Sequence, residues 1–182
     1  KSPTKAGCQA VVPHVFKLEL LMKQAGISTE NRRVTTAALE RAEKTGAPAA
    51  AIELEDGRIL TGKTSDLLGA SAALLLNTLK ELAQIPHNLH VLSPTAIEPM
   101  QKLKIDYLGS KNPRLHTDEV LIALSSTAAT SDVAKLALEQ LPKLKGCQVH
   151  SSVMLSSVDK KVFKKLGVQL TSEPVYEHKK IY

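Results

Sequence analysis

The stretch Ile52-Glu53-Leu54-Glu55-Asp56-Gly57-Arg58-Ile59-Leu60-Thr61-Gly62-Lys63-Thr64 decides the fold of this chain. Its second half fits the phosphate-loop pattern G-x-x-x-x-G-K-[ST], with Gly57, Gly62, Lys63 and Thr64 at the defining positions. In a working phosphate loop, successive N–H groups converge on a phosphate. Here the middle of the motif contains Ile and Leu, which favour extended backbone, and Asp56-Gly57 is a strong signal for a two-residue hairpin turn. The sequence therefore predicts a β-hairpin and no bound cofactor.

Strand and helix patterns alternate outward from this hairpin. Ser93-Pro94 and Ser156 each open a helix with a typical N-cap, and each follows a predicted strand. Such alternation is typical of an α/β sheet covered on both faces. We predict a three-layer α/β/α sandwich with a mixed sheet over residues 46–182, preceded by an N-terminal helical appendage, residues 1–45. Besides the hairpin, the predicted strands are residues 89–92, 148–155 and 168–171.

The charge of the chain is basic, with a formal net charge of +6 at pH 7. Much of the excess lies late in the sequence, in Lys160, Lys161, Lys164 and Lys165, which alternate with apolar residues at helical spacing. This pattern predicts the solvated face of an amphipathic helix. Aromatic residues are rare, and none is interleaved with these lysines as a base-stacking surface would require. We therefore expect no nucleic-acid partner.

Cysteine usage and apolar runs indicate the compartment. Cys8 and Cys147 lie far apart and form no C-x-x-C motif, which fits a reducing cytoplasm. No apolar run approaches the ~18 residues that a membrane-spanning helix needs, so we expect no membrane partner. The first residue is Lys1 rather than Met, which suggests a fragment of a longer polypeptide.

A polar loop before a predicted helix start holds the richest set of candidate ligand-binding residues. Loops of this kind often carry function, and a helix N-terminus favours an anion. The alternative is a local role, in which Asn112-Pro113 forms a turn, Arg114 pairs with Asp118 and Thr117 caps the helix. The candidate anion- or ligand-binding residues are Lys111, Asn112, Arg114, His116 and Asp118.

The histidines do not predict a metal site. His87 and His90 lie close together in sequence but straddle a loop and a predicted strand start. No cysteine or carboxylate follows at zinc spacing, and zinc needs three or four convergent ligands. We therefore expect no bound metal.

Three stretches carry a family resemblance: EDGRILTGKTSDLLGAS at residues 55–71, DYLGSKNPRLHTDEVLIALS at 106–125 and LEQLPKLKGCQVHSSVMLS at 138–156. Together they closely resemble the C-terminal part of a bacterial family, domain of unknown function 1846. The resemblance is near-continuous from about Leu18 to Tyr182. It implies that the N-terminal, Rossmann-like part of the longer family proteins is a partner, and a second copy of the chain is a further expected partner.

The resemblance brings no catalytic residues, because none is established for the family. We expect an uncharacterised bacterial C-terminal module with a structural or interaction role and no catalytic residues of its own. The alternative is one half of an enzyme site, in a nucleotide- or anion-dependent hydrolase. In that case Arg114 and His116 would line a pocket shared with the N-terminal part or another subunit.

The order hairpin, helix, strand, helix, strand also resembles the cytidine-deaminase architecture. In that superfamily the first helix carries His/Cys-Ala-Glu and the next strand is followed by Pro-Cys-x-x-Cys. Here those places hold Ser71-Ala72-Ala73 and Ser93-Pro94-Thr95-Ala96. The zinc ligands and the catalytic glutamate are therefore missing, so the resemblance implies a shared fold without deaminase chemistry.

Overall fold

The computed structural model describes residues 12–28 and 32–177. Those residues form seven α-helices, four strands, a π-helical turn (Leu103–Tyr107) and a 3-10 turn (Leu141–Leu144). The elements in chain order are α1 (Val12–Gln24), α2 (Arg33–Thr45), β1 (Ala49–Glu53), β2 (Ile59–Lys63), α3 (Ala70–Leu82), α4 (Pro94–Lys102), α5 (Thr117–Ala128), α6 (Asp132–Leu138), β3 (Gln148–Ser151), α7 (Ser157–Lys165) and β4 (Gln169–Ser172).

The four strands form one open mixed sheet in the order β2-β1-β3-β4. Strand β1 is antiparallel to both neighbours, whereas β3 and β4 run parallel. Helix α7 connects the parallel pair, as a parallel connection requires. The α/β prediction is confirmed.

The predicted hairpin is present, with Ala51 opposite Thr61 and Glu53 opposite Ile59. Its loop differs from the predicted two-residue turn. The Leu54 amide donates to the Arg58 carbonyl at 2.9 Å, which leaves three residues in the loop. The last of these, Gly57, has a φ of +81°, so the loop is the three-residue type with a left-handed glycine.

One face of the sheet packs against α2. Val34 and Ala38 of this helix are buried against Ala51 of β1 and form a small cluster with it. The predicted boundary at residue 46 placed α2 outside the sandwich. In the structure, α2 lies on the sheet, and the compact unit that contains the sheet begins at Arg33. The unit before it, Lys1–Arg32, includes α1, whose described apolar side chains are largely exposed.

The opposite face of the sheet carries the main core. Ala50 and Ile52 of β1 alternate with Ala51 and therefore point to this side. They belong to one apolar cluster with Leu74 of α3, Leu124 of α5 and Phe163 of α7. Helices thus lie on both faces of the sheet.

The prediction of a strand at residues 89–92 is wrong. The segment is irregular in the structure, and it lies between α3 and α4. Val91 and Leu92 are buried in the main core with Leu76 and Ile97. A short apolar run looks the same in sequence whether it pairs in a sheet or packs beneath helices, and here it packs.

Two predicted serine caps are confirmed. The Ser93 hydroxyl accepts from the Ala96 amide at 3.2 Å, and the Ser156 hydroxyl accepts from the Asp159 amide at 3.1 Å. Both bonds satisfy amides in the first turn of a helix. Among the described residues, no helix is both long enough and apolar enough to cross a membrane.

Candidate functional site

The phosphate-loop motif lies in the hairpin, and its residues occupy turn and strand positions. Gly57 is the turn glycine, and Gly62 pairs with Ala50 inside the ladder. Lys63 is exposed at the end of β2, and the Thr64 amide donates to the Pro48 carbonyl at 2.8 Å. The amides of this segment therefore do not converge on one point, as phosphate binding requires.

Gly62 has a packing role instead. A Cβ atom at this position would overlap the backbone of Leu74 and would lie 2.8 Å from the carbonyl carbon of Ala73. Only glycine permits α3 to approach β2 this closely. The Gly in the Gly-Lys-Thr sequence is thus explained by helix–sheet packing.

The second candidate, the loop before α5, is held against the segment before α3. Leu68 and Leu115 form an isolated parallel bridge, and the Gly69 amide donates to the Leu115 carbonyl at 3.2 Å. Helices α3 and α5 each begin two residues after this bridge. Their N-termini therefore lie side by side.

Two of the predicted ligand residues, Lys111 and Asn112, are exposed in this loop. The Asn112 Oδ1 accepts from the Arg114 amide at 3.1 Å, so Asn112 forms the expected turn. Arg114 does not pair with Asp118. Its Nη1 pairs with Glu177 Oε1 at 2.9 Å, and its Nε donates to the Ser65 carbonyl at 2.9 Å.

Asp118 has a local role, since its Oδ1 accepts from the Glu119 amide at 2.8 Å. The N-cap of α5 is His116 rather than Thr117. The backbone amide of His116 donates to Glu119 Oε2 at 2.7 Å. The carboxylates of the first turn therefore accept hydrogen bonds from backbone amides at the start of their own helix.

The centre of the site is the buried carboxylate of Asp159, in the first turn of α7. Its Oδ1 accepts from the backbone amide of Thr117 at 3.0 Å and from the Thr117 hydroxyl at 2.8 Å. Its Oδ2 accepts from the Ser156 hydroxyl at 2.7 Å and lies 3.2 Å from His116 Nδ1. One carboxylate thus joins the N-termini of α5 and α7.

His116 and Asp159 shift each other's titration. The hydrogen bond to Asp159 raises the pKa of His116 and outweighs the partial burial of the ring, which acts the other way. Burial opposes ionisation of Asp159, but its hydrogen bonds to His116, Thr117 and Ser156 outweigh that effect and lower its pKa. Both shifts favour an imidazolium–carboxylate pair.

Serine, histidine and aspartate meet here without forming a nucleophilic triad. In a triad, aspartate holds one ring nitrogen and serine bonds the other. Here the Ser156 hydroxyl lies 3.5 Å from Nδ1, the nitrogen that already faces Asp159. The hydroxyl donates to the carboxylate instead, so this geometry does not activate Ser156.

A buried lysine braces the same loop from the other side. Lys104 Nζ donates to the Arg114 carbonyl at 2.6 Å and to Glu119 Oε2 at 2.8 Å. Glu119 therefore receives both this ammonium and the His116 amide. Lys104 was not predicted as part of this site, because its contact with Glu119 joins residues 15 apart across an irregular segment.

Neither cavity described in the structure is lined by residues 111–118. One, of about 320 Å³, lies along β4 and is lined by Lys160, Lys164, Val168, Leu170, Thr171 and Ser172. The other, of about 180 Å³, lies beside α3 and α4 and includes Leu76, His90 and Val91. Within residues 12–28 and 32–177, no cluster of three His, Cys, Asp or Glu side chains could hold a metal ion.

Sequence comparison assigns the chain to a family. The family model described as "Domain of unknown function DUF1846, C-terminal" matches residues 30–182. The chain belongs to this family. The resemblance seen in the three stretches is thereby confirmed, and most of the match falls on the unit that carries the sheet.

Relatives of the DUF1846 chain include a UPF0371 protein of Corynebacterium efficiens, 58% identical over 166 residues, which are 91% of this chain and 34% of the relative. A UPF0371 protein of Streptococcus uberis is 51% identical over 168 residues, 92% of this chain and 34% of that protein. The chain thus spans about a third of the length of the curated relatives it matches.

Proposed function

We propose that the chain is a structural and interaction module of a longer protein whose chemistry lies in the other two thirds. One observation carries this proposal: the carboxylate of Asp159 occupies the position between the N-termini of α5 and α7. An external anion at paired helix N-termini would need the same amide donors. The Thr117 amide is already bonded to Asp159, and the carboxylates of Asp118 and Glu119 stand beside it.

Electrostatics support the same reading. A phosphate bound at this position would lie near the carboxylates of Asp118, Glu119 and Asp159. Their negative charges would repel it. Three of the cations nearby are paired within the chain, Arg114 with Glu177, Lys104 with Glu119 and His116 with Asp159, and Lys111 is exposed in the loop. The site therefore supplies its own counter-charges and serves to join α5 to α7.

A second candidate function, the enzyme half-site, rests on His116. Its Nδ1 faces Asp159, its side chain is 32% exposed, and no hydrogen bond among the described residues uses Nε2. An aspartate that orients Nδ1 leaves Nε2 as an acid or base. A ligand brought by another part of the longer protein would meet this nitrogen.

Single alanine variants at His116 and Arg114 separate the two functions. The probes are inorganic phosphate and ATP·Mg²⁺, titrated calorimetrically against the wild type, both variants, Lys63→Ala in the hairpin and Lys111→Ala as an exposed control. The module predicts no binding in any of them and a lower urea midpoint for His116→Ala and Arg114→Ala. Binding to the wild type that disappears in His116→Ala at an unchanged midpoint would establish the half-site. ATP binding that disappears only in Lys63→Ala would instead revive the phosphate loop.

We further propose that the architecture is the three-layer, deaminase-like one, without zinc. Helices on both faces and a β2-β1-β3-β4 order with β1 antiparallel support it. Ser71, at the place where that superfamily carries a metal ligand on the helix after the hairpin, is not a ligand side chain. The equivalence of Thr95 depended on a strand at residues 89–92, which the structure does not contain, so Thr95 does not enter this proposal. We also propose that the chain acts in the cytoplasm. Its proposed partners are the N-terminal part of the longer protein and a second copy of the chain, and they include no nucleic acid or membrane.

A further inference from the structure

The turn that follows α4 has an inverted pattern of burial. Lys104 is 8% exposed, whereas the large apolar side chains around it are exposed to between 39% and 76%. Apolar side chains normally point inward and lysine outward. Three of these exposed residues lie about one π turn apart and therefore share a face, which we call the π-turn patch: Leu103, Tyr107 and Leu108.

Hydrogen bonds hold this arrangement in place. The Leu108 amide donates to the Leu103 carbonyl at 3.1 Å, five residues back, and the Ser110 amide donates to the Lys104 carbonyl at 2.8 Å. The ammonium of Lys104 is anchored inward on Glu119 and on the Arg114 carbonyl. A buried ion pair is costly to form, and π turns occur often at functional positions. The inverted pattern is therefore built into the fold.

We propose that the π-turn patch is the surface on which the part of the longer family protein preceding this domain packs. This inference rests on the proposed function as an interaction module. Two findings identify the occupant: the matching family model is a C-terminal domain, and two thirds of each relative lies outside the matched region. Covering the patch would bury the apolar side chains that the fold leaves in water.

The size of the patch favours a covalently linked partner over a second copy. Its exposed apolar area is on the order of 400 Å², within the range of functional patches on single proteins. A stable dimer buries about 800 Å² on each partner. A partner on the same polypeptide needs less, because linkage raises its effective concentration.

Cysteine labelling in the longer protein tests the proposal. The matched stretch of the C. efficiens relative is replaced by the same stretch of this chain, and the product is compared with the isolated chain. Leu108→Cys is the probe, and Ile122→Cys, an exposed residue on α5, is the matched control. Peptide-level mass spectrometry follows maleimide labelling, so each position is read separately from Cys147 and other thiols.

We expect Leu108→Cys to label about 10-fold more slowly in the longer protein than in the isolated chain, with Ile122→Cys within about 2-fold. Equal labelling at position 108 would overturn the proposal. Protection of Leu136→Cys, another exposed apolar position, without protection at position 108 would overturn the proposal that the π-turn patch is the docking surface. It would still support the proposed function as an interaction module. Absence of protection at all three positions would count against both.

The isolated chain gives a second test that does not depend on the hybrid folding. Replacing Tyr107 and Leu108 together by serine should leave the urea midpoint unchanged, since both side chains contact mainly water. A lower midpoint would show that the patch is already covered within this chain and would overturn the proposal.

Discussion

Gly62 shows how one hydrogen atom in place of a methyl group sets the distance between a helix and a sheet. We expect Gly62→Ala to destabilise the chain by about 3 kcal/mol, because the added Cβ meets the backbone of α3 and backbone cannot be repacked cheaply. Gly69→Ala is the matched control. Its φ is −68° and its nearest contact would be 3.7 Å from the Leu115 carbonyl oxygen, so we expect a loss of about 1 kcal/mol.

Urea denaturation followed by circular dichroism measures both variants. Equal losses for Gly62→Ala and Gly69→Ala would contradict the close approach of α3 to β2. ATP·Mg²⁺ should not restore stability to Gly62→Ala, because the glycine serves packing and not phosphate binding.

The Asp159–His116 pair makes stability depend on pH in a defined direction. Asp159 has a pKa below its ordinary 3.8, so its contribution is present above that value and is lost as the pH falls through the lowered pKa. His116 has a pKa above its ordinary 6.5, so its contribution is present below 6.5 and is lost as the pH rises through the raised pKa. Both contributions coincide between about pH 4 and pH 6.5.

We expect Asp159→Asn to lower the free energy of unfolding at pH 5.5 by about 2–3 kcal/mol, since the buried donors lose their anion. The variant should also lose the decline in stability above pH 6.5. Asp132→Asn, an exposed first-turn aspartate of α6, should cost about 0.5 kcal/mol and keep the pH profile. Urea titrations from pH 3 to pH 9 measure the free energy of unfolding of each variant. If it depends on pH in the same way for the wild type and Asp159→Asn, the Asp159–His116 pairing is refuted.

Only half of this site was predictable from the sequence. His116 and Arg114 were found because polar residues gather at a helix start. The Ser156-x-x-Asp159 spacing indicated a cap on α7, but nothing indicated that the same carboxylate reaches Thr117, 42 residues away. The contact between Asp159 and Thr117 depends on how α5 packs against α7. The local sequence pattern around either residue does not indicate that packing.

At the scale of elements, the hairpin and the two serine-capped helices were predictable because each has a local chemical signature. Residues 89–92 were not, because their apolar character comes from packing under α3. Helix α2 was misplaced for a related reason. Its apolar contact with the sheet uses small side chains, Val34, Ala37 and Ala38, and this pattern is too weak to reveal a buried face.

Truncation tests the boundary that this contact implies. We expect a chain beginning at residue 33 to unfold cooperatively, and one beginning at residue 46 to lose several kcal/mol, because Val34 and Ala38 no longer cover Ala51. Differential scanning calorimetry of the two chains provides the measurement. Equal transition temperatures would restore α2 to the appendage, residues 1–45.

At the scale of the whole molecule, the net charge of +6 is carried in part by one helix face. The four lysines of α7 are exposed, and Phe163 on the opposite side is buried, as the spacing predicted. We expect only weak binding to single-stranded DNA, with a Kd of about 10⁻⁴ M at physiological salt, because charge acts there without stacking side chains.

Fluorescence anisotropy with a labelled oligonucleotide at several salt concentrations measures this binding. Lys160→Ala together with Lys164→Ala should weaken it further, whereas Lys44→Ala on α2 should change it less. Micromolar affinity that persists at high salt would contradict the prediction.

The pairing of β1 with β3 bears on how the chain reaches its structure. Ala49 and Ser152 bond to each other although they lie 103 residues apart, whereas only residues 54–58 separate β1 from β2. The hairpin can form within microseconds, but its inner edge stays open until β3 has been synthesised. Closing so long a loop is slow. During translation, the inner edge of the strand Ala49–Glu53 is therefore open to wrong pairing until β3 becomes available.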